Sequence, residues 1–333
     1  MPNLRPIKIV YLFGAGATHA EIVNLYPKRN DETFLEENGL LMQHVSKRVC
    51  KNAKTLGKFP KSIEGLLSSA GLSNIELFIS LIENNVIKSE QTINDLKRLI
   101  KEDILAQLSE SRLNKFCLHK ALFELHSKIK TDEEILGIIS LNYDRVLDEA
   151  YETITKKEPD YCLTFGASKR ASEGIHLLKL HGGFDLKFRN NKLPIMTPGI
   201  NKNYLELPYN FIWGRALEVL IECDILRVIG CSLSQNDVGL IDLLFKAHLA
   251  KKGAFQIQMI TFDPDDNKIQ ENYGFLPEIK RALQIEGGLI SEVAIKRHDS
   301  GSNPFKIWLK AKAEKMLTND EVKKTNYLKR VLL

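Results

Sequence analysis

Short apolar runs bounded by Gly, Asn, Asp or His recur along the chain, at Ile7–Phe13, Ile135–Leu141, Ile175–Leu180, Ile225–Ile229 and Gln256–Phe262, with a sixth at Leu289–Ile295. The runs are continuous rather than alternating, which is the pattern of strands covered on both faces, and the intervals leave room for helical crossovers. The expected fold class is therefore α/β, with a doubly wound, mainly parallel sheet. Between the first two runs the apolar period lengthens to that of a helix, through Ile75, Phe78, Ile79 and Ile82 and then Leu96, Ile100, Ile104 and Leu108. That interval is too long for one crossover, so residues 31–130 read as a helical insertion, or as helices packed on the same core. After Gly301 the chain becomes Lys-rich, with Ile307, Trp308 and Leu309 interleaved. A terminal helix with a solvated face accounts for this, and an oligomer or partner contact is the sharper reading.

With 333 residues, 44% hydrophobic and 27% charged, the chain can bury a sizeable core and is neither fibrous nor disordered. No apolar run approaches the ~20 residues of a membrane-spanning helix, and Met1 to Lys8 lack a secretory pattern. A cytoplasmic protein with no membrane partner is expected. The cysteines Cys50, Cys117, Cys162, Cys223 and Cys231 are odd in number and nowhere form Cys-x-x-Cys, which argues against a disulfide framework and a zinc ribbon. No metal is expected. A net charge of +5 suits an anionic small molecule or an acidic partner surface. It falls short of the dense basic patch of a nucleic-acid binder, so direct nucleic-acid binding is not expected.

The run Val10-Tyr11-Leu12-Phe13-Gly14-Ala15-Gly16-Ala17-Thr18 reads as a strand, a glycine turn and the start of a helix. Gly14 would permit the tight turn, Gly16 would let backbone amides approach a pyrophosphate, and the helix would present its positive end. His19 stands where a dehydrogenase fingerprint needs its third glycine, and no Gly-x-x-x-x-Gly-Lys-Ser/Thr occurs. Nicotinamide dehydrogenases and P-loop hydrolases are both disfavoured.

In an open parallel sheet, ligands bind beyond the carboxyl ends of the strands. Four runs end there in polar chemistry: Asn142 and Asp144 after the second, His181 after the third, Gly230 and Ser232 after the fourth, and Asp263 after the fifth. Each has a plain alternative, such as a helix cap for Asn142, a first-turn acid for Asp144 or a structural role for His181. Their coincidence at one edge beside the glycine turn favours a shared site.

Taken together, Gly14-Ala15-Gly16-Ala17-Thr18, Leu141-Asn142-Tyr143-Asp144, Lys179-Leu180-His181-Gly182 and Ile229-Gly230-Cys231-Ser232-Leu233 with Asp237 resemble the sirtuin-like domains of bacterial antiphage systems. The likeness covers most of residues 7–266 and implies a Rossmann-like sheet. It implies that Ala15, Gly16, Ala17 and Thr18 contact dinucleotide phosphates, that Gly230, Ser232 and Asp263 hold the adenosine half, and that Asn142, Asp144 and His181 surround the nicotinamide ribose. Sirtuin deacylases carry a four-cysteine zinc module and a Gly-Ile-Pro-Asp-Phe-Arg type loop. These cysteines cannot build the module, and His19-Ala20-Glu21-Ile22-Val23 replaces the loop. Both departures favour the branch that hydrolyses NAD.

The resemblance thus implies residues 1–290 as a catalytic domain and 291–333 as a C-terminal strand and helix tail. It implies NAD as substrate, cleaved to nicotinamide and ADP-ribose by a toxic defence effector. Asn142 would orient water or ribose hydroxyls, His181 would accept a proton, and Asp144 would bind the carboxamide or orient a neighbour. The implied partners are a second copy in a homo-oligomer, a HerA-type ATPase or an Argonaute-like protein. The competing readings are a non-catalytic module sensing NAD or ADP-ribose, and a zinc-free deacylase or ADP-ribosyltransferase.

Overall fold

The structure is a computed structural model and describes residues 5–28, 31–55, 75, 79, 82–83, 90–128, 132–164, 174–184, 186, 194–196, 204, 206–233, 237–251, 256–260 and 303–332. Five parallel strands form one sheet: β1 Ile7–Phe13, β2 Glu133–Ser140, β3 Leu177–Lys179, β4 Ile225–Ile229 and β5 Gln256–Ile260, in the order β3-β2-β1-β4-β5. The helices that position the site are α1 Ala15–Leu25, α2 Glu32–Asn38, α3 Met42–Thr55, α4 Glu90–Gln107, α5 Glu110–Leu113, α6 Leu118–Lys128, α7 Val146–Thr155, α8 Tyr209–Glu222, α9 Val238–Ala250, α10 Pro304–Met316, α11 Asn319–Lys323 and α12 Leu328–Leu332. The expected doubly wound α/β sheet is what forms. The expected strand 289–295 lies outside the described residues, as does Asp263.

Alternation along β1 shows why its sequence is apolar from Ile9 to Phe13. Val10 and Leu12 enter a core built with α8 and α9, while Ile9, Tyr11 and Phe13 enter a second core built with α1, α6, α7 and α10. A central strand with a helical layer on each side has no face left for polar residues.

The described helices of the 31–130 stretch make a third core from Val45, Val49, Leu96, Ile100 and Ile104, together with Ile75, Ile79 and Ile82. This core also contains Ile22 of α1, Tyr143, Val146, Phe184 and Ile195. The stretch therefore packs onto the loops at the strand ends. Arg48 fixes its geometry, donating to Asp103 at 2.7 to 3.1 Å and to the carbonyls of Glu36 and Gly39 at 2.8 and 2.9 Å.

The C-terminal helices dock on the second core, beside α6. Phe305, Trp308, Leu309 and Ala313 of α10 are buried in the second core, and Asn303 donates to the Ala20 carbonyl at 2.7 Å. The apolar residues of this tail thus meet the chain's own sheet.

Two buried carboxylates secure helix starts whose amides lack intrahelical partners. Glu21 of α1 accepts the backbone amides of Cys117, Leu118 and His119 at 2.9 to 3.1 Å. Glu124 of α6 accepts those of Asn326, Tyr327 and Leu328 at 2.8 to 2.9 Å. Burial pushes the Glu21 carboxyl up, but the hydrogen bond and charge of His119 and the amides outweigh it and hold the group below the usual value.

A buried ion network crosses the sheet. Arg227 of β4 donates to Glu133 of β2 at 3.1 and 3.2 Å, to Tyr11 of β1 at 2.8 Å and to Gln258 of β5 at 2.9 Å, while Lys312 of α10 reaches Glu133 at 2.6 Å. Burial raises the Glu133 carboxyl, yet Arg227 and Lys312 overcome this and lower it to about 2. A carboxyl depressed in the folded state stabilises the fold above its unfolded pKa of ~4.3 and loses that contribution as pH falls. Acid unfolding followed by circular dichroism is thus expected to steepen between pH ~4.3 and ~2, and Glu133→Gln is expected to flatten that limb. An unchanged acid limb in the variant would show that the network contributes nothing to stability.

Candidate functional site at the switch point of the sheet

From β1 the chain moves outward to β2 and β3, then returns to the other side of β1 for β4 and β5. Helix α1 leaves β1 toward one face of the sheet and α9 follows β4 toward the other. Such a divergence opens a crevice at the carboxyl ends of the two strands, where doubly wound sheets bind ligands.

The floor of the crevice is backbone against backbone. Gly14 donates to the Ile229 carbonyl at 3.0 Å and Gly16 to the Gly230 carbonyl at 2.9 Å. A Cβ on Gly16 would lie 2.7 Å from Gly230 O, and one on Gly230, whose φ is +63°, would lie 2.1 Å from Ala17 N. No other residue fits at either position. The Gly16 amide, expected to face phosphate, is engaged by Gly230.

Above this floor lies a cavity of about 280 Å³. Gly14, Ala15, Gly16 and Thr18 line it from the first turn, and Asn142 and Asp144 from the end of β2. His181 reaches it after β3, and Gly230 and Ser232 after β4. The structure therefore brings together all the expected site residues except two. Ala17 is turned into the second core, and Asp263 lies outside the described residues.

The polar groups are mutually constrained. Asn142 Nδ2 donates to the Gly14 carbonyl at 3.1 Å and to Thr18 Oγ1 at 3.0 Å, and Thr18 Oγ1 donates to Asp144 Oδ2 at 3.1 Å. With both amide hydrogens engaged, the atom Asn142 can offer a ligand is its carbonyl oxygen. The Thr18 hydroxyl, expected on phosphate, binds this network instead. Asp144 Oδ1 accepts the Val146 amide at 2.9 Å at the start of α7, so the expected helix-end role and the lining role coexist in one residue. Burial raises the Asp144 carboxyl, and Lys179 opposes the shift. Lys179 donates to the Asp144 carbonyl oxygen at 2.6 Å and pairs with Asp148 at 2.9 Å, both inside the protein.

Two contributors had no role assigned to them from sequence, although Asp237 belongs to the motif that carries the resemblance. Asp237 lines the cavity and lies 2.9 Å from His181 Nε2. Its position ahead of Val238-Gly239-Leu240-Ile241 is a helix-cap signal that could have marked it. Leu40, Leu41, Met42 and Ile104 wall the cavity from the helical stretch, and nothing local in the sequence announces that packing. The Cys231 thiol at the wall is pushed up to about 12 by burial and stays protonated at neutral pH.

A second polar cluster lies near the start of β3. His176 Nδ1 is 3.2 Å from Asp160 and 3.3 Å from Cys162 Sγ, and Arg215 donates to His176 Nε2 at 3.0 Å. Because guanidinium can only donate, Nε2 accepts and Nδ1 carries the proton toward Asp160 and Cys162. Burial lifts the Cys162 thiol to about 12, with Asp160 adding to the effect. This is the bonding of a neutral imidazole that locks a loop to the sheet.

Residues 136–282 match the family model of the SIR2-like domain. No curated protein matches the chain. Similar solved structures include one described under the mechanism and regulation of Sir2 enzymes, at 14% identity and TM-score 0.37, covering 84% of this chain and 92% of that one. Another is a Sir2 homologue in complex with NAD, at 13% identity and TM-score 0.38, covering 88% and 89%.

The Thr18 hydroxyl is the hinge of the network. Thr18→Val keeps the shape but strands an Asn142 hydrogen and an Asp144 oxygen, so unfolding free energy is expected to fall by about 1–3 kcal/mol. Thr18→Ser restores the hydroxyl and should recover most of this in chemical denaturation. Equal stability of the Val variant and wild type would show that the network is not under tension from burial.

Proposed function

We propose that this protein is an NAD+ hydrolase that converts NAD+ to nicotinamide and ADP-ribose, and that it serves as the toxic effector of a bacterial antiphage system by depleting cellular NAD. The observation that supports this best is the convergence of the glycine turn, Asn142, Asp144 and His181 on one cavity at the switch point of a sirtuin-like domain. A dinucleotide would place its phosphates near the turn after β1 and its nicotinamide ribose between Asn142 and His181. Gly230 and Ser232 would face the adenosine half, with Asp263 completing that side.

Nicotinamide in NAD+ is a cationic leaving group, so its departure needs little acid catalysis. The site must position water and stabilise an oxocarbenium-like ribose. Asn142 would accept a hydrogen from that water or a ribose hydroxyl through its carbonyl oxygen. His181 would take the proton, and the buried Asp144 would hold the carboxamide or the neighbouring Thr18. The wall formed by Leu40, Met42 and Ile104 would exclude bulk water.

Incubating purified protein with NAD+ and separating the products by chromatography tests the reaction. Nicotinamide and ADP-ribose should appear together. His181→Ala and Asn142→Ala should each cut release by at least ~100-fold while remaining folded. NAD binding without turnover in active preparations would favour a sensing module instead.

An effector that empties a cell of NAD must be restrained, so we infer a homo-oligomer with low basal turnover, raised by a partner such as a HerA-type ATPase or an Argonaute-like protein. Sedimentation combined with turnover over a range of protein concentrations should show rates that depend on assembly. A fully active monomer, insensitive to dilution and harmless when expressed, would overturn both the restraint and the effector role.

A further inference from the structure

Asp237 and His181 meet in the lining of the cavity. His181 follows β3 and Asp237 follows β4, which are separated in the sheet by β2 and β1. Three strand spacings of ~4.8 Å lie between these two strands, so only loops that arch over the ends of β1 and β2 can bring the side chains together. Yet His181 Nε2 and Asp237 Oδ2 are 2.9 Å apart, with side chains only 4% and 6% exposed. A contact this remote in the sheet, made by two residues that line the same cavity, is a feature of the site and not of neighbouring strands.

We propose that Asp237 is the positioning residue for His181, fixing the proton on Nε2 and making Nδ1 the atom that accepts a proton in the reaction; the chemistry rests on the NAD-hydrolase reading, the geometry does not. The other carboxylate oxygen, Oδ1, accepts the Leu240 amide at 3.4 Å as the cap of α9. The positive end of that helix favours a negative charge at this point. An ionised carboxylate can only accept, so the nitrogen facing it must carry the hydrogen, and the lone pair resides on Nδ1. The backbone holds the residue from the other side, since the His181 carbonyl accepts the Met196 amide at 2.8 Å.

The step balances as follows. Nδ1 takes a proton from water as the water oxygen bonds to C1′ of the ribose. The C1′–N bond breaks and its electron pair returns to the ring nitrogen, releasing neutral nicotinamide. Asp237 stabilises the imidazolium until it returns the proton to solvent, as the carboxylate does for the histidine of hydrolytic triads.

Capping alone would also explain Asp237, so the test must separate the two roles. Asp237→Asn and Asp237→Ser both retain a side chain that caps helices well, but neither is an anion. Nitrogen NMR of the histidine side chains is expected to show His181 as the Nε2–H tautomer in wild-type protein and as a mixture in Asp237→Asn. The same variant should lose at least ~10-fold in kcat, with KM for NAD within ~3-fold and an unchanged melting temperature. An Nδ1–H tautomer in wild type, a spectrum unaltered by Asp237→Asn, or a retained kcat would each overturn the proposal. Should wild-type protein release no nicotinamide, the hydrolase reading fails, while the spectra still decide whether Asp237 sets the tautomer.

Discussion

The contact between the Gly14-Ala15-Gly16 turn and the Gly230 turn governs the site. Two strands that are neighbours in the sheet end in loops whose backbones touch, with Gly16 hydrogen-bonded to Gly230 and no space for a Cβ between them. This closeness sets the distance between the start of α1 and the loop after β4, and hence the width of the crevice. Everything that lines the cavity is placed relative to that junction. Asn142 is hydrogen-bonded to the Gly14 carbonyl, Thr18 lies one turn into α1, and Asp237 leads from the Gly230 loop into α9.

Around this junction the protein uses buried polar groups in two ways. Some are bound entirely within the scaffold: Lys179 with Asp148 and the Asp144 carbonyl, Glu21 with three amides leading into α6, Glu124 with three amides leading into α12. Others keep one atom turned toward the cavity while the rest is fixed, as with the Asn142 amide. Buried polar groups are costly when unpaired, so the fixed partners hold the site in one arrangement before any ligand arrives. The site is preorganised by its own hydrogen bonds.

Much of this was legible in the chain because the signals were local. Continuous apolar runs gave β1 and β4 with the same bounds as the structure, since strands covered on both faces are apolar at nearly every position and only Lys8 and the network residue Arg227 interrupt them. The third strand came out shorter than its apolar run, because only Leu177–Lys179 pair along β2. Polar residues just past each strand marked the site, a consequence of parallel topology bringing all carboxyl ends to one edge. What could not be read was which partner each polar group would choose. That the Gly16 amide would bind the Gly230 carbonyl, that the Thr18 hydroxyl would join Asn142 and Asp144, and that Leu40 and Ile104 would wall the cavity all depend on contacts between segments far apart in sequence.

The docking of α10 against α1 has a bearing on the order in which the protein can be assembled during synthesis. The central strand β1 emerges first, but its neighbour β4 lies more than 200 residues later, as the 216-residue separation of Tyr11 and Arg227 shows. The face of β1 that carries Tyr11 and Phe13 is sealed only when Phe305 and Trp308 arrive. A nascent chain halted before Gly230 has half a crevice, and one that has reached Leu240 holds every residue that lines the cavity while the face of β1 beneath it still waits for α10.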